Sequence, residues 1–457
     1  MDHVTPTAPL RLPARAPLGR KPLGIVASLR AARRNLLEII PELATYAPII
    51  SGNTGARWHM VMDPDAARHI LKDRVEDYPK SVVTKLILGP AVGKGLFVAE
   101  GAEWRWQRRA AAPVFALRNM QALAPVMQAA AQASVARIGQ HAGTGRAVDL
   151  HQEMVTATFE VISEVTFSGD EGFDRAAIHR AIDAYIARTA KVSLLDFFAL
   201  PGWVPRPHRI ASAHIVRELK RHADAAIAAR DSGRAKPLPD LLDLLKGASD
   251  PETGRALNAA ELRDNLLTFI VAGHETTALT LAWALYLCAF DPAIQTAARE
   301  QAQAVLGGRV ASVEDLDKMP LIQQIVQESL RLYPPAGFLS RTAQKPDRLL
   351  GREVRRGDTV MLPIYALHRH HALWDEPDAF RPARFATPTH DRYAFLPFGA
   401  GPRICIGAGF ALQEAGIILA TLLSRFAFTA VPGKDPVPEM IITTRPKGGI
   451  WLTVQAM

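Results

Sequence analysis

The sequence predicts a mainly α fold with a small β-rich part, an α+β architecture built around one long central helix. Three observations carry this. From about Ala259 to Phe290 the chain is apolar nearly all round the helical wheel, which marks a buried helix rather than a surface one. Such a helix is about 45 Å long, enough to cross a whole domain. Residues from about 117 to 245 also show mostly helical periodicity. Short strand-like runs gather at about 50–80, 335–370 and 437–457, so both halves of the chain build the β-rich part.

Length and composition set bounds. The chain has 457 residues, 48% of them hydrophobic and 22% charged, so it can bury a large core and has an ordinary globular balance. Net charge is +9, but the basic residues are dispersed and aromatics are only 7%, which argues against a nucleic-acid partner. The cysteines, Cys288 and Cys405, lie far apart in sequence. They form no disulfide framework and fit a reducing, cytoplasmic compartment. Residues 1–40 are rich in Pro and Arg, with no acid between Asp2 and Glu38. Pro6, Pro9, Pro13, Pro17 and Pro22 break any long amphipathic helix there. No apolar run is long enough for an anchor or transmembrane segment. The expectation is a flexible lead over 1–40 and one catalytic domain over 41–457, with an organellar import signal as the alternative for the lead.

Trp58 to Met62 reads as a strand closed by Asp63-Pro64. Val82 to Leu88 is apolar and runs into Gly89-Pro90, Gly93 and Gly95, the pattern of an irregular, pocket-lining loop. Glu103 to Arg109 opens a helix ending near Pro113. Trp104 and Arg108 share one face of it. They could grip a pair of carboxylates or belong to a solvated basic helix. The Pro- and Trp-bearing stretch Leu200 to Pro207 is a lid or a plain connector.

The long helix breaks its own rules in the middle, at Val271-Ala272-Gly273-His274-Glu275-Thr276-Thr277. Glycine lowers helix stability, threonine bonds back to the preceding turn, and a buried glutamate needs a partner. Rules broken together in a core element point to function. An acid beside an alcohol, Glu275 and Thr276, is a proton relay. The helix from Met319-Pro320 to Pro334-Pro335 carries Glu328 and Arg331, whose spacing alone reads as a surface ion pair. Arg384 stands in an irregular stretch, and His368, His370 and His371 read as a surface loop rather than a metal site.

Cys405 lies in the glycine-rich loop Phe398-Gly399-Ala400-Gly401-Pro402-Arg403-Ile404-Cys405-Ile406-Gly407, just before an apolar helical pattern. A helix N-terminus and the nearby Arg403 would favour its thiolate. One thiolate with no Cys or His at zinc spacing argues against zinc. A single axial thiolate is what a haem iron can use.

Together these stretches resemble the cytochrome P-450 family of haem-thiolate monooxygenases, from about residue 40 to the end. Phe398 to Gly407 matches the family's F-x-x-G-x-R-x-C-x-G loop at every fixed position. Ala272 to Thr277 matches its oxygen-activating helix, Glu328 to Arg331 its E-x-x-R motif, and Trp104 with Arg108 its W-x-x-x-R helix. The resemblance implies the P-450 fold and a heme b whose iron is held by Cys405, with Phe398 beside the sulfur. It implies that Glu275 and Thr276 supply protons to dioxygen, and that Ala272 and Gly273 leave room beside the iron. Trp104, Arg108, Arg341 and Arg403 would hold the haem propionates. Glu328, Arg331 and Arg384 would form a buried triad, which replaces the surface-pair reading. Val82, Leu86, Val271, Phe338 and Ile442 would line the substrate pocket.

The implied reaction inserts one atom of O2 into a small to medium apolar substrate by hydroxylation or epoxidation. The motifs lean toward fatty acid or terpenoid/carotenoid-like substrates. Electrons would come, ultimately from NAD(P)H, through a separate ferredoxin-like or flavoprotein donor on the proximal face, since the chain ends soon after its last strands. Arg105 and Arg109 would steer an acidic donor. The expected state is a monomer. Two other readings use the same fold: a peroxide-driven peroxygenase and a non-enzymatic haem-binding sensor.

Overall fold

The computed structural model describes residues 11–20, 22–167, 180, 181, 184, 185, 207–231, 240–387 and 390–457. Six helices frame its interior: α1 (Val82–Val92), α2 (Gly101–Ala111), α3 (Leu150–Phe167), α4 (Ala259–Phe290), α5 (Pro320–Leu332) and α6 (Ala408–Arg425). Among the described residues no single helix is long and apolar enough to cross a membrane.

The long helix has the bounds that its sequence predicts. Asn258 caps its start: the Asn258 side chain accepts from Glu261 N at 3.0 Å, and the Glu261 carboxylate accepts from Asn258 N at 3.0 Å. Each satisfies an orphan donor of the first turn. Asp291 ends it and caps the next helix, Pro292–Leu306, accepting from Ala293 N and Ile294 N at 3.1 Å. Between those caps Leu266, Leu279, Trp283 and Leu285 are buried. Each such side chain stabilises the fold by about 1.5–3 kcal/mol. α3, α5 and α6 pack around α4, which places its rule-breaking middle at the heart of the molecule.

The strands are β1 (Ile49–Asn53), β2 (Arg57–Val61), β3 (Val148–Asp149), β4 (Leu339–Thr342), β5 (Asp347–Leu349), β6 (Arg352–Val354), β7 (Thr359–Leu362), β8 (Phe426–Ala430), β9 (Val437–Met440), β10 (Thr444–Lys447) and β11 (Trp451–Ala456). One sheet runs β1-β2-β7-β4 and joins strands from the two halves of the chain, with Trp58 paired to Thr359 in a parallel ladder. A second runs β3-β11-β8, and β5/β6 and β9/β10 are hairpins.

Several expectations fail in informative ways. The lead is packed where it is described: Ala14 N and Ala16 N donate at 2.9 Å to the hydroxyls of Tyr286 and Tyr365. A helix, Ile25–Arg34, forms beyond Pro22. The helix α1 runs through Pro90, which removes only one donor, as far as Val92; the irregular stretch begins at Gly93, and Leu96 and Phe97 in it line the cavity. His368 and His370 are buried rather than on a surface loop. His368 accepts from Leu396 N at 2.8 Å through Nε2, while its Nδ1 lies 3.2 Å from Arg331 O. It thereby ties the approach to the Cys loop to α5. Residues 200–206 of the proposed lid lie outside the described residues, and Pro207 begins the helix Pro207–Asp231.

Candidate active site

The Cys loop is shaped by glycines where other residues would not fit. Gly401 has φ +70°, and a Cβ there would stand 2.1 Å from Leu71 O. Only glycine meets both demands cheaply. Gly401→Ala is therefore expected to displace the loop, with a loss of about 1–3 kcal/mol and a fall in bound haem. Thermal unfolding and the haem-to-protein ratio of the purified chain check it. Cys405 N donates to Phe398 O at 2.9 Å, which folds the loop back on itself.

This loop forms one wall of a cavity of about 680 Å³. Phe398 and Cys405 line that wall, and Ala272, Gly273 and Thr276 of α4 line another. The Cys405 side chain is accessible, as a residue facing this cavity. Thr276 Oγ1 donates to Ala272 O at 2.8 Å, the back-bond its sequence suggested. Glu275 also lines the cavity, and its carboxylate is held by Thr443 and Arg445. Val271, Phe338 and Ile442 line it as expected. Val82 and Leu86 are not among its lining residues; Val83, Thr84, Ile87 and Leu88 are. The helix period explains this, since 82 and 86 share one face of α1 while 83 and 87 share the next.

The electrostatics correct one expectation. Burial pushes the Cys405 thiol above its ordinary value, and the Gly407 N–H, Arg108 and Lys80 pull it only part of the way back. The backbone N–H at the helix end acts in the expected direction, while Arg403 is committed to other partners. It is paired with Glu100, donates to Ala99 O at 2.9 Å, and lies 4.3 Å over the Trp104 ring. Arg108 and Arg341 are different. No described residue gives either a carboxylate partner, and burial lowers both, Arg341 to about 10. Lys80, which the sequence did not flag, is pushed down to about 7 by burial and by Arg341 and Arg403. A buried arginine, Arg341, and a half-buried one, Arg108, without carboxylate partners among the described residues call for carboxylates from elsewhere. A thiol in the cavity wall, small residues on α4 and these arginines fit a flat iron porphyrin with two carboxylates.

Glu328 and Arg331 of the triad are buried, and Arg384 is partly buried. Glu328 accepts from Arg331 Nε at 2.7 Å and Nη2 at 2.8 Å, and from Arg384 Nε at 3.1 Å. Arg105 and Arg109, expected to steer a donor, are instead paired, Arg105 with Glu76 and Arg109 with Asp250. Sequence reading also missed Glu100, Thr443 and Arg445. Their partners are roughly 170–300 positions away, so no local pattern could show them.

A cavity-facing thiol, unpaired cations for two carboxylates, and an acid beside an alcohol on a buried helix together define a haem-thiolate oxygenase. The Cytochrome P450 family model matches residues 22–453, and the chain belongs to that family. It is a cytochrome P450 monooxygenase. It is 29% identical to Protein LUTEIN DEFICIENT 5, chloroplastic, of Arabidopsis thaliana, over 90% of this chain and 72% of that protein. It is 32% identical to a cytokinin hydroxylase of the same plant, over 80% of this chain and 72% of that one. The crystal structure of the cytochrome P450DA heme domain superposes with a TM-score of 0.78 at 27% identity, covering 90% of each chain.

Proposed function

We propose that this chain hydroxylates a neutral apolar substrate of terpenoid or carotenoid type, with Cys405 as the ligand of a haem iron. When bound, the haem supplies reductive activation of dioxygen. The chain's own residues do the rest. Arg108, Arg341 and Trp104 hold the propionates, with Lys80 and the Arg403–Glu100 pair beside them. Ala272 and Gly273 keep the space beside the iron open. Glu275 and Thr276 move protons into the cavity, and Phe338, Val271 and Ile442 exclude water and orient the substrate. Glu328, Arg331 and Arg384 brace the fold beneath the Cys loop. Electrons come from NAD(P)H through a separate ferredoxin-like or flavoprotein donor.

One observation carries the choice of a neutral substrate. Away from the haem end, Arg57 is the cation among the described lining residues, and it is occupied. Its Nε lies 3.1 Å from Asp358 and its Nη2 donates to Glu353 O at 2.6 Å. A fatty-acid carboxylate would have to displace Asp358, which His59 also holds at 3.1 Å. The hydroxylase named among the relatives supports the reaction type. Titration of the haem-loaded protein with limonene and with lauric acid tests the reading through the change in haem absorption. Limonene is expected to bind roughly tenfold more tightly or better, about 1.4 kcal/mol. Tighter binding of lauric acid overturns it.

A further inference from the structure

Glu275 is only 5% exposed, yet it lines the cavity. Its Oε1 accepts two hydrogen bonds, from Thr443 Oγ1 at 2.7 Å and from Arg445 Nε. Both donors come from one hairpin: Thr443 from the turn between β9 and β10, Arg445 from β10. No hydrogen bond reaches Oε2 from the described residues. The hairpin is itself fixed, since Thr444 N donates to Pro335 O at 3.0 Å and Trp283 Nε1 donates to Thr444 O at 3.1 Å. The Arg445 side chain is 38% exposed, so the pair reaches from the interior to the surface.

We propose that Arg445 is a positioning residue for the oxygenation reaction: it anchors Glu275 by Oε1 and leaves Oε2 to carry protons. This rests on the reading of Glu275 as the relay acid. The step is a proton transfer. Oε2 takes a proton from water, releases it into the cavity on the Thr276 side, and ends as a carboxylate; no electrons move. The same turn carries Ile441 and Ile442 against the cavity, so the element that contacts the substrate also sets the acid.

The charges around Glu275 are few. Burial pushes its carboxyl up, while Arg445, Thr443 and His274 pull it down, and the net is below the ordinary value. His274 lies on α4 with Nδ1 3.0 Å from Ile270 O. α3 presents the neutral Thr158, which donates to His274 O at 2.7 Å. α6 presents Glu414, whose carboxyl burial pushes up and a hydrogen bond to Thr277 pulls back. Glu439 faces Arg445 across the hairpin. With Arg445 removed, burial dominates and the Glu275 carboxyl holds its proton to higher pH. The acid limb of the turnover profile then moves up.

The test compares Arg445→Gln, Arg445→Lys and Glu275→Gln in the haem-loaded full chain. Infrared titration follows the protonated carboxyl band, with the Glu275→Gln spectrum subtracted to isolate the Glu275 component. Coupling, as product per electron pair, is followed against pH. Arg445→Gln is expected to raise both midpoints by about one unit or more, and Arg445→Lys to stay near the parent. The titrating band is expected to vanish in Glu275→Gln. Parent-like midpoints in Arg445→Gln, with coupling lost in Glu275→Gln, overturn the proposal alone. Unchanged coupling in Glu275→Gln overturns the relay reading beneath it. Lower stability or haem content in Arg445→Gln without any pH shift makes Arg445 merely structural and also overturns the proposal.

Discussion

Glu328→Ala is expected to destabilise the protein by about 3–5 kcal/mol, the cost of leaving a buried charge without its counter-ion. The Arg331 guanidinium is buried and donates to His368 O at 2.8 Å, Pro377 O at 2.6 Å and Ala379 O at 3.0 Å. Those carbonyls orient it but do not neutralise it. Glu328 also accepts from Arg381 N at 2.9 Å and from Arg384, so one carboxylate ties α5 to the whole stretch before the Cys loop. Glu328→Gln keeps the shape and loses the charge, and should fall between the parent and alanine. Denaturant unfolding of the three proteins gives the order, and haem retention shows whether the Cys loop follows. A loss under about 1 kcal/mol for alanine would mean a pair worth no more than a surface one.

How much of this was legible follows from where each signal lives. α4 was legible to the residue because its evidence is local: an apolar run, and Asp291-Pro292 at its end. The Cys loop was legible because its glycines and arginine stand at fixed offsets from Cys405. The lining of α1 was not, because it depends on helix phase. Gly89-Pro90 and the glycines after it pointed to an irregular loop, which hides the helical phase that puts Val83 and Ile87, not Val82 and Leu86, on the cavity face. The burial of His368 was hidden for another reason. A histidine reads as polar, but with Leu396 N on Nε2 and Arg331 O beside Nδ1 it is satisfied in the core. The charges were least legible. Arg403 looked like a free cation beside the sulfur, and its partner Glu100 comes from the other end of the chain. Arg105 and Arg109 likewise looked available and are paired.

Cys405→Ala is expected to abolish monooxygenase turnover while leaving the apoprotein fold in place. The side chain faces the cavity rather than the core. The bond that shapes the loop, Cys405 N to Phe398 O, belongs to the backbone and survives the change. No histidine stands among the described cavity-lining residues to replace the lost ligand. Cys288 cannot replace it either: it is buried in α4, and burial pushes its thiol far up. Arg108 and Arg341 would still attract the propionates, so weakened haem binding without a thiolate-type absorption spectrum is the expected outcome. Cys288→Ala is the matching control. It trims a small buried side chain, costs on the order of 1 kcal/mol, and should keep both spectrum and turnover. Iron content, the absorption of the carbon monoxide complex and product formation, read on both variants, separate the two cysteines. A thiolate-type spectrum that survives in Cys405→Ala and disappears in Cys288→Ala would move the iron ligand to the other cysteine and undo the site as assigned.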